Sequence, residues 1–294
     1  MARRDGVLLV GHGSRADAGR LEMVALAEQT ASAWAGTPVE LGFLELSQPP
    51  AGAALDRLVG AGCDRIAVVP LMLHAAGHSK SDVPAVVLQG RARHPGVQLR
   101  YARPFGVDGR LVALAADRIK AAGGGGAALA MVGRGTSDPD ANAETYKAAR
   151  LLAEAVGARL FDVGFSGVTW PTVPESLERL VRLGADRIVG FSWFLATGVL
   201  VDRAAGQLVA LADRTGLDVV DAGWFGPDPT LVELVRDRAT EALTGSVAMS
   251  CDTCVHRAPF PGQENKVGQP LGVGHSHLAA EHRSHPHEHG EHQH

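Results

Sequence analysis

The 294-residue chain contains itself twice. Gly11-His12-Gly13-Ser14 aligns with Gly133-Arg134-Gly135-Thr136, and the step from Gly11 to Gly133 is 122 residues. The same offset relates Gly42-Phe43 to Gly164-Phe165, Pro49 to Pro171, Leu55-Asp56-Arg57-Leu58-Val59 to Leu177-Glu178-Arg179-Leu180-Val181, and Asp64-Arg65-Ile66 to Asp186-Arg187-Ile188. Phe105-Gly106 and Phe225-Gly226 align at 120, so the second copy is shorter by two residues. A register held this far identifies a tandem duplication, and whatever one copy folds into the other must fold into as well. The expected organisation is a first domain over 1–120, a Gly-rich linker at 121–128 whose composition reads as flexible, a second domain over 129–246, and a tail over 247–294. The tail lacks apolar periodicity and reads as mostly disordered.

Within the first copy, Val7 to Val10, Val39 to Leu44, Ile66 to Leu73 and Val97 to Tyr101 are short apolar or β-branched runs that predict strands. Ala18 to Ala33 and Ala53 to Gly60 carry helical patterning between them. The second copy repeats the strands at Leu129 to Val132, Leu160 to Phe165, Ile188 to Leu195 and Val219 to Ala222. Alternation at this spacing predicts an α/β fold: two homologous domains, each a parallel sheet with helices on both faces, meeting across a cleft.

A duplicated fold is its own control. Packing residues should persist in both copies, whereas residues of a single site need survive in only one. His12 becomes Arg134, Glu45 becomes Gly167, His74 becomes Ala196 and His78 becomes Leu200. All four follow predicted strands of the first copy, at the carboxyl edge where open parallel sheets bind ligands. Imidazole and carboxylate groups in such a cluster suit a divalent metal or proton transfer. The Gly11–Arg15 turn opens a helix, and Ser14 and Arg15 add donors for an anion. The first copy is expected to be the active one and the second a degenerate support.

The net charge of −4 argues against nucleic-acid or anionic-membrane partners. No run approaches the length of a membrane span, so a cytoplasmic location is expected. Gly164-Phe165-Ser166-Gly167 is one residue short of a nucleophile elbow, which disfavours a serine hydrolase. Three cysteines imply no disulfide framework, and Cys63, replaced by Ala185 in the copy, reads as a small buried residue.

Together, Val10-Gly11-His12-Gly13-Ser14-Arg15, Phe43-Leu44-Glu45 with Pro49, and Pro70-Leu71-Met72-Leu73 leading to Gly77-His78 and Asp82-Val83-Pro84 resemble the sirohydrochlorin chelatases. The resemblance runs over roughly residues 6 to 245 and is to the long, tandem form of this class II chelatase family. It implies a lyase that inserts Co²⁺ or Fe²⁺ into sirohydrochlorin, the precursor of cobalamin and sirohaem, with release of two protons and without an organic cofactor. It assigns His12 and His78 to metal binding and catalysis, and Glu45 to metal binding or proton handling. His74 is added as a ligand candidate from its position alone. Because the substrate carries many carboxylates and the chain is acidic, Arg15, Ser79, Lys80, Ser81 and Arg134 are the expected local donors, with Ser14. The protein is expected to be a monomer or a homodimer, and a non-catalytic metal or tetrapyrrole carrier is the alternative from another class.

The 13 histidines form two populations: His12, His74, His78 and His94 lie in the first copy, and the rest follow residue 255. His256, His275, His277, His282, His285, His287, His289, His292 and His294 make the tail a candidate binder of divalent ions. Met249-Ser250-Cys251-Asp252-Thr253-Cys254 resembles the Met-x-Cys-x-x-Cys motif of some long cobaltochelatases, where it is linked to an iron–sulfur cluster. Two thiolates do not complete a four-cysteine cluster, so zinc or redox chemistry at Cys251 and Cys254 stays open, and His256 is a further ligand candidate. This resemblance favours cobalt over iron.

Overall fold

Val7, Leu8, Leu9 and Val10 of strand β1 (Asp5–Gly11) are all fully buried, which requires apolar cover on both faces of the sheet they occupy. The computed structural model describes residues 3–247 and 264–268. β1 pairs in parallel with β2 (Val39–Phe43) and β3 (Arg65–Pro70), and β3 pairs with β4 (Gln98–Tyr101), giving the order β2-β1-β3-β4. The second sheet repeats this as β6-β5-β7-β8, from β5 (Ala128–Gly133), β6 (Phe161–Phe165), β7 (Arg187–Ser192) and β8 (Asp218–Asp221). Both sheets are parallel throughout. The α/β architecture expected from the repeat is therefore the observed one.

β3 and β7 stop short of the expected strands: after Pro70 and Ser192 the chain leaves the sheet. Leu71 N–H still reaches Val10 O, and the following carbonyls of Met72 and Leu73 bind the N–H groups of Phe105 and Gly106. Apolar residues continue past the strand because they line the cleft.

Helices α1 (Asp17–Ala33), α2 (Ala51–Gly60), α3 (Val83–Arg93) and α4 (Gly109–Ala121) belong to the first copy, and α5 (Pro139–Val156), α6 (Val173–Arg182), α7 (Val199–Thr215) and α8 (Pro229–Thr244) to the second. Asp108, Asp138 and Asp228 start α4, α5 and α8 by accepting a backbone N–H two residues on. Thr172 and Glu175 form a capping box at α6. Close helix–strand contact fixes Gly42 and Gly164: a Cβ there would lie 2.5 Å from Ala51 Cα and 2.6 Å from Val173 Cα.

The two copies exchange their last helices. α8 packs on β3, β4 and α1 of the first sheet, while α4 packs on α5 and β7 of the second. One core consequently runs through both lobes, joining Val7, Leu9 and Val69 to Leu129, Met131 and Phe191. Separate cores lie under α2 and α3, and under α6 and α7. The Gly-rich linker is not a flexible tether. Gly124 is buried, its N–H bonds Ile119 O, and Gly126 N–H bonds Val156 O. The helix exchange explains this: a short turn must deliver α4 and β5 to one shared core.

Polar groups reinforce the crossing. Arg238 on α8 is 2 % exposed and bonds the carbonyls of Pro104 and Phe105, Asp108 Oδ2 at 3.2 Å and Glu241 Oε1 at 3.0 Å. Glu241 also takes a two-bond contact from Arg103. Cys63 is buried as expected, its Sγ 3.6 Å from Asp5 O. No helix among the described residues is long and apolar enough to cross a membrane. Cys251, Cys254, His256 and the histidines from His275 to His294 lie outside the described residues.

Candidate metal and tetrapyrrole site

His12 is the first residue beyond β1, so the strand direction itself delivers it to the carboxyl edge of the sheet. The β1–β2 pairing continues past the strands, with Leu44 N–H on Gly11 O and Glu45 N–H on His12 O, and this places Glu45 beside His12. Ser47 Oγ then accepts the N–H of Ser14 and donates to its carbonyl, clasping the two loops together. Gly13 has φ +102°, and a Cβ there would stand 1.8 Å from Glu45 O, so only glycine allows this approach. His78 comes from the third edge position, at the start of a single π-helical turn (His78–Asp82) that leads into α3.

His12, Glu45 and His78 converge. One ligand atom from each lies within 4.8 Å of the others, the only such group among the described residues. His12 Nε2 is 3.1 Å from Glu45 Oε1, and the two imidazoles meet edge to face with centroids 4.3 Å apart. His78 Nδ1 pairs with Asp82 Oδ2 at 2.6 Å, which turns Nε2 towards the cleft and fixes the tautomer a metal ligand needs. Asp82 was visible only as part of a motif; its i, i+4 spacing from His78 on a helical turn was the signal for this role.

Burial, then the neighbouring His78 and Arg134, push the pKa of His12 down from its ordinary 6.5 to about 4, against the opposing pull of Glu45 and the Gly13 carbonyl. His12 is thus a neutral ligand at neutral pH. An NMR titration of its ring should give a midpoint well below 6.5, near 4; a midpoint at or above 6.5 contradicts this. Since the unfolded chain takes up this proton first, His12's contribution to stability is present above pH 6.5 and is lost as the pH falls towards 4.

His12 and His78 open into a cavity of about 510 Å³ lined by both copies, within the usual range for small-molecule sites. Ser14, Arg15, Ser79 and Arg134 line it as expected. The second copy does more than support. Its Arg134 Nη2 reaches to 3.5 Å from His12 Nε2, and its segment from Trp193 to Val201 forms one wall. That wall is the counterpart of the first copy's loop bearing His74 and His78, with Leu200 in the histidine's place. Glu22 of α1 holds it by accepting from Thr197 N–H at 2.7 Å and from Trp224 Nε1–H. Glu22 carried no sequence signal, because its partners lie some two hundred residues away.

Three expectations are corrected. His74 lines the cavity but stands outside the ligand group of His12, Glu45 and His78, and its Nδ1 pairs instead with Glu144 of α5 at 3.2 Å. Lys80 does not face the cleft: its Nζ is 2.6 Å from Asp138 and 3.4 Å from Asp140, with 8 % of the side chain exposed. It secures the π-helical turn to the acidic start of α5, and an ammonium so paired is not offered to substrate. Ser81 is half-buried and absent from the lining. Ser79 Oγ is turned inward, donating to Met72 Sδ at 2.9 Å.

Two parallel-sheet lobes with exchanged helices, a two-histidine, one-carboxylate group and a large, mostly apolar cleft define a metal-handling α/β protein that acts on a bulky organic ligand. The CbiX family model matches residues 6–122 and again 128–242, so the chain belongs to the CbiX family in duplicated form. It is 36 % identical over 260 residues to a sirohydrochlorin cobaltochelatase of Priestia megaterium, covering 85 % of this chain and 84 % of that one. It is 33 % identical over 248 residues to a sirohydrochlorin ferrochelatase of Bacillus subtilis (strain 168), covering 83 % and 94 %. The solved structure of SirB from Bacillus subtilis with Fe³⁺ superposes with a TM-score of 0.74 at 28 % identity, covering 83 % of this chain and 97 % of that one. SirB from subspecies spizizenii in complex with cobalt gives 0.71 at 25 % identity, covering 82 % and 96 %.

Proposed function

We propose that this chain is a sirohydrochlorin chelatase, a lyase that exchanges the two inner pyrrole protons of sirohydrochlorin for Co²⁺ or Fe²⁺. The observation that carries this reading is the convergence of His12, Glu45 and His78 beside a cleft of about 510 Å³, with both histidines on its wall. The relatives, which are named for both cobalt and iron insertion, support it over a carrier role.

The divalent ion is a substrate. Neutral imidazole nitrogens and one carboxylate suit either ion, and the shared preference of Co²⁺ and Fe²⁺ for such ligands is why the donor set does not choose between them. Insertion requires two pyrrole N–H bonds to break while four metal–nitrogen bonds form, replacing the bonds from the ion to its site ligands. As the ion leaves His12, Glu45 and His78 for the macrocycle, their electron pairs are freed to take the departing protons, so the charge at the site changes little. Asp82 keeps the His78 ring aimed during this exchange. Leu46, Leu195, Val199 and Leu200 supply apolar contact for the ring system, and Arg15 and Arg134 face its carboxylates.

Purified protein given sirohydrochlorin and either ion should raise the insertion rate well above the protein-free rate, followed by the change in visible absorption. A rate equal to the protein-free one sinks the enzyme reading and leaves the carrier. We assign Cys251 and Cys254, with His256, to an iron–sulfur cluster or zinc, and the histidines from His275 to His294 to metal supply. Removing residues 247–294 should leave insertion largely intact at saturating metal and slow it when metal is scarce. An equal loss under both conditions would make the tail part of the reaction centre.

A further inference from the structure

The second copy keeps a cation where the first has its ligand. Arg134 stands in register with His12, and its guanidinium reaches back to 3.5 Å from His12 Nε2. His12 Nδ1 lies 3.3 Å from the Gly13 carbonyl, a contact that needs the proton on Nδ1 and leaves the electron pair on Nε2. That same Nε2 is 3.1 Å from a carboxylate oxygen of Glu45. Two electron-pair donors this close call for a positive charge nearby. A divalent ion provides one when it is bound; in the structure the guanidinium is the cation at hand.

The two cations are incompatible. An ion held on Nε2 at the usual ~2 Å would sit within a few ångströms of the guanidinium, in a partly buried site where salt screens weakly. Arg134 is exposed on the cavity wall, and its long side chain can follow an anion out of this position.

We propose that Arg134 is an internal competitor for the metal ion, covering the ligand face of His12 until a carboxylate of the tetrapyrrole draws it away. Metal uptake at the triad then follows macrocycle binding. Arg134 acts on the ion through His12 and is a positioning residue for it, while its contact with the carboxylate is direct. The carboxylate step rests on the chelatase reading; the competition itself does not.

The test is an equilibrium Co²⁺ titration of the full chain, with the His12→Ala chain as background so that tail and surface binding cancel. Arg134→Gln should tighten the His12-dependent affinity by about tenfold or more, from the loss of one like charge at close range. Arg134→Lys, which keeps the charge, should stay within a few-fold of the parent. A misfolded site would weaken binding, so unchanged or weaker affinity in Arg134→Gln overturns the proposal. In the insertion assay the KM for sirohydrochlorin should rise several-fold in Arg134→Gln, and an unchanged KM overturns the carboxylate-triggered release. Failure of the parent protein to insert metal would strike the chelatase reading, while the affinity comparison still decides the competition.

Discussion

Replacing His12 or His78 by alanine should lower the insertion rate by about a hundredfold or more, since each removes both a metal ligand and a proton acceptor. The two changes should not multiply. Their rings touch, and their ligand atoms share one ion with Glu45, so the double variant should be little worse than either single one. Asp82→Asn should cost about 10- to 100-fold, because the amide no longer fixes the imidazole tautomer as the carboxylate does. His94→Ala provides the control: His94 pairs with Asp56 outside the cleft, and its loss should leave insertion unchanged. Initial rates across a Co²⁺ or Fe²⁺ series would show whether each loss lies in metal affinity or in turnover. Full activity in His12→Ala or His78→Ala would remove the triad from the mechanism.

The largest stability effect should come from Arg238→Ala. Its guanidinium is almost wholly buried and serves two carbonyls and two carboxylates at the point where α8 crosses onto the first lobe. Removing it leaves the carbonyls of Pro104 and Phe105 without this donor and opens a void, at a cost of about 3–5 kcal/mol by chemical or thermal unfolding. Asp108 links this network to pH. Burial raises its pKa, but the side-chain and backbone donors of Arg110, with Arg238, outweigh that and hold it down to about 2. A depressed carboxylate contributes stability above its unfolded value of 3.8, and that contribution fades as the pH drops towards 2. In Arg238→Ala the folded-state pKa should move up towards 3.8, so this acid-side loss should be smaller and complete at a higher pH. A change of under 1 kcal/mol would show that the buried arginine adds little to the crossing.

Much of this was legible in the chain, and for identifiable reasons. A repeat at constant offset is a one-dimensional signal, as is the alternation of apolar runs with helical stretches, so the paired parallel sheets could be read directly. The positions where the copies disagree pointed to His12, Glu45 and His78 because chain order along a parallel sheet also fixes which edge a residue reaches. The same comparison included His74 and could not separate it, since its engagement by Glu144 depends on how α5 packs against the first lobe. Lys80 looked available for the same reason: its acidic partners, Asp138 and Asp140, are nearly sixty residues away.

The sequence by itself determined the duplicated α/β fold, the edge at which the site lies and a set of four side chains that contains the three that meet there. Only the tertiary structure decided that the lobes exchange α4 and α8, that the Gly-rich linker is a packed turn, and that the degenerate copy supplies a wall and a cation to the surviving site. The physical reason is the range of the interactions. Strand and helix patterns arise between neighbours, whereas Glu22 on Thr197, Arg238 on Phe105 and Arg134 on His12 are brought together by the shared core.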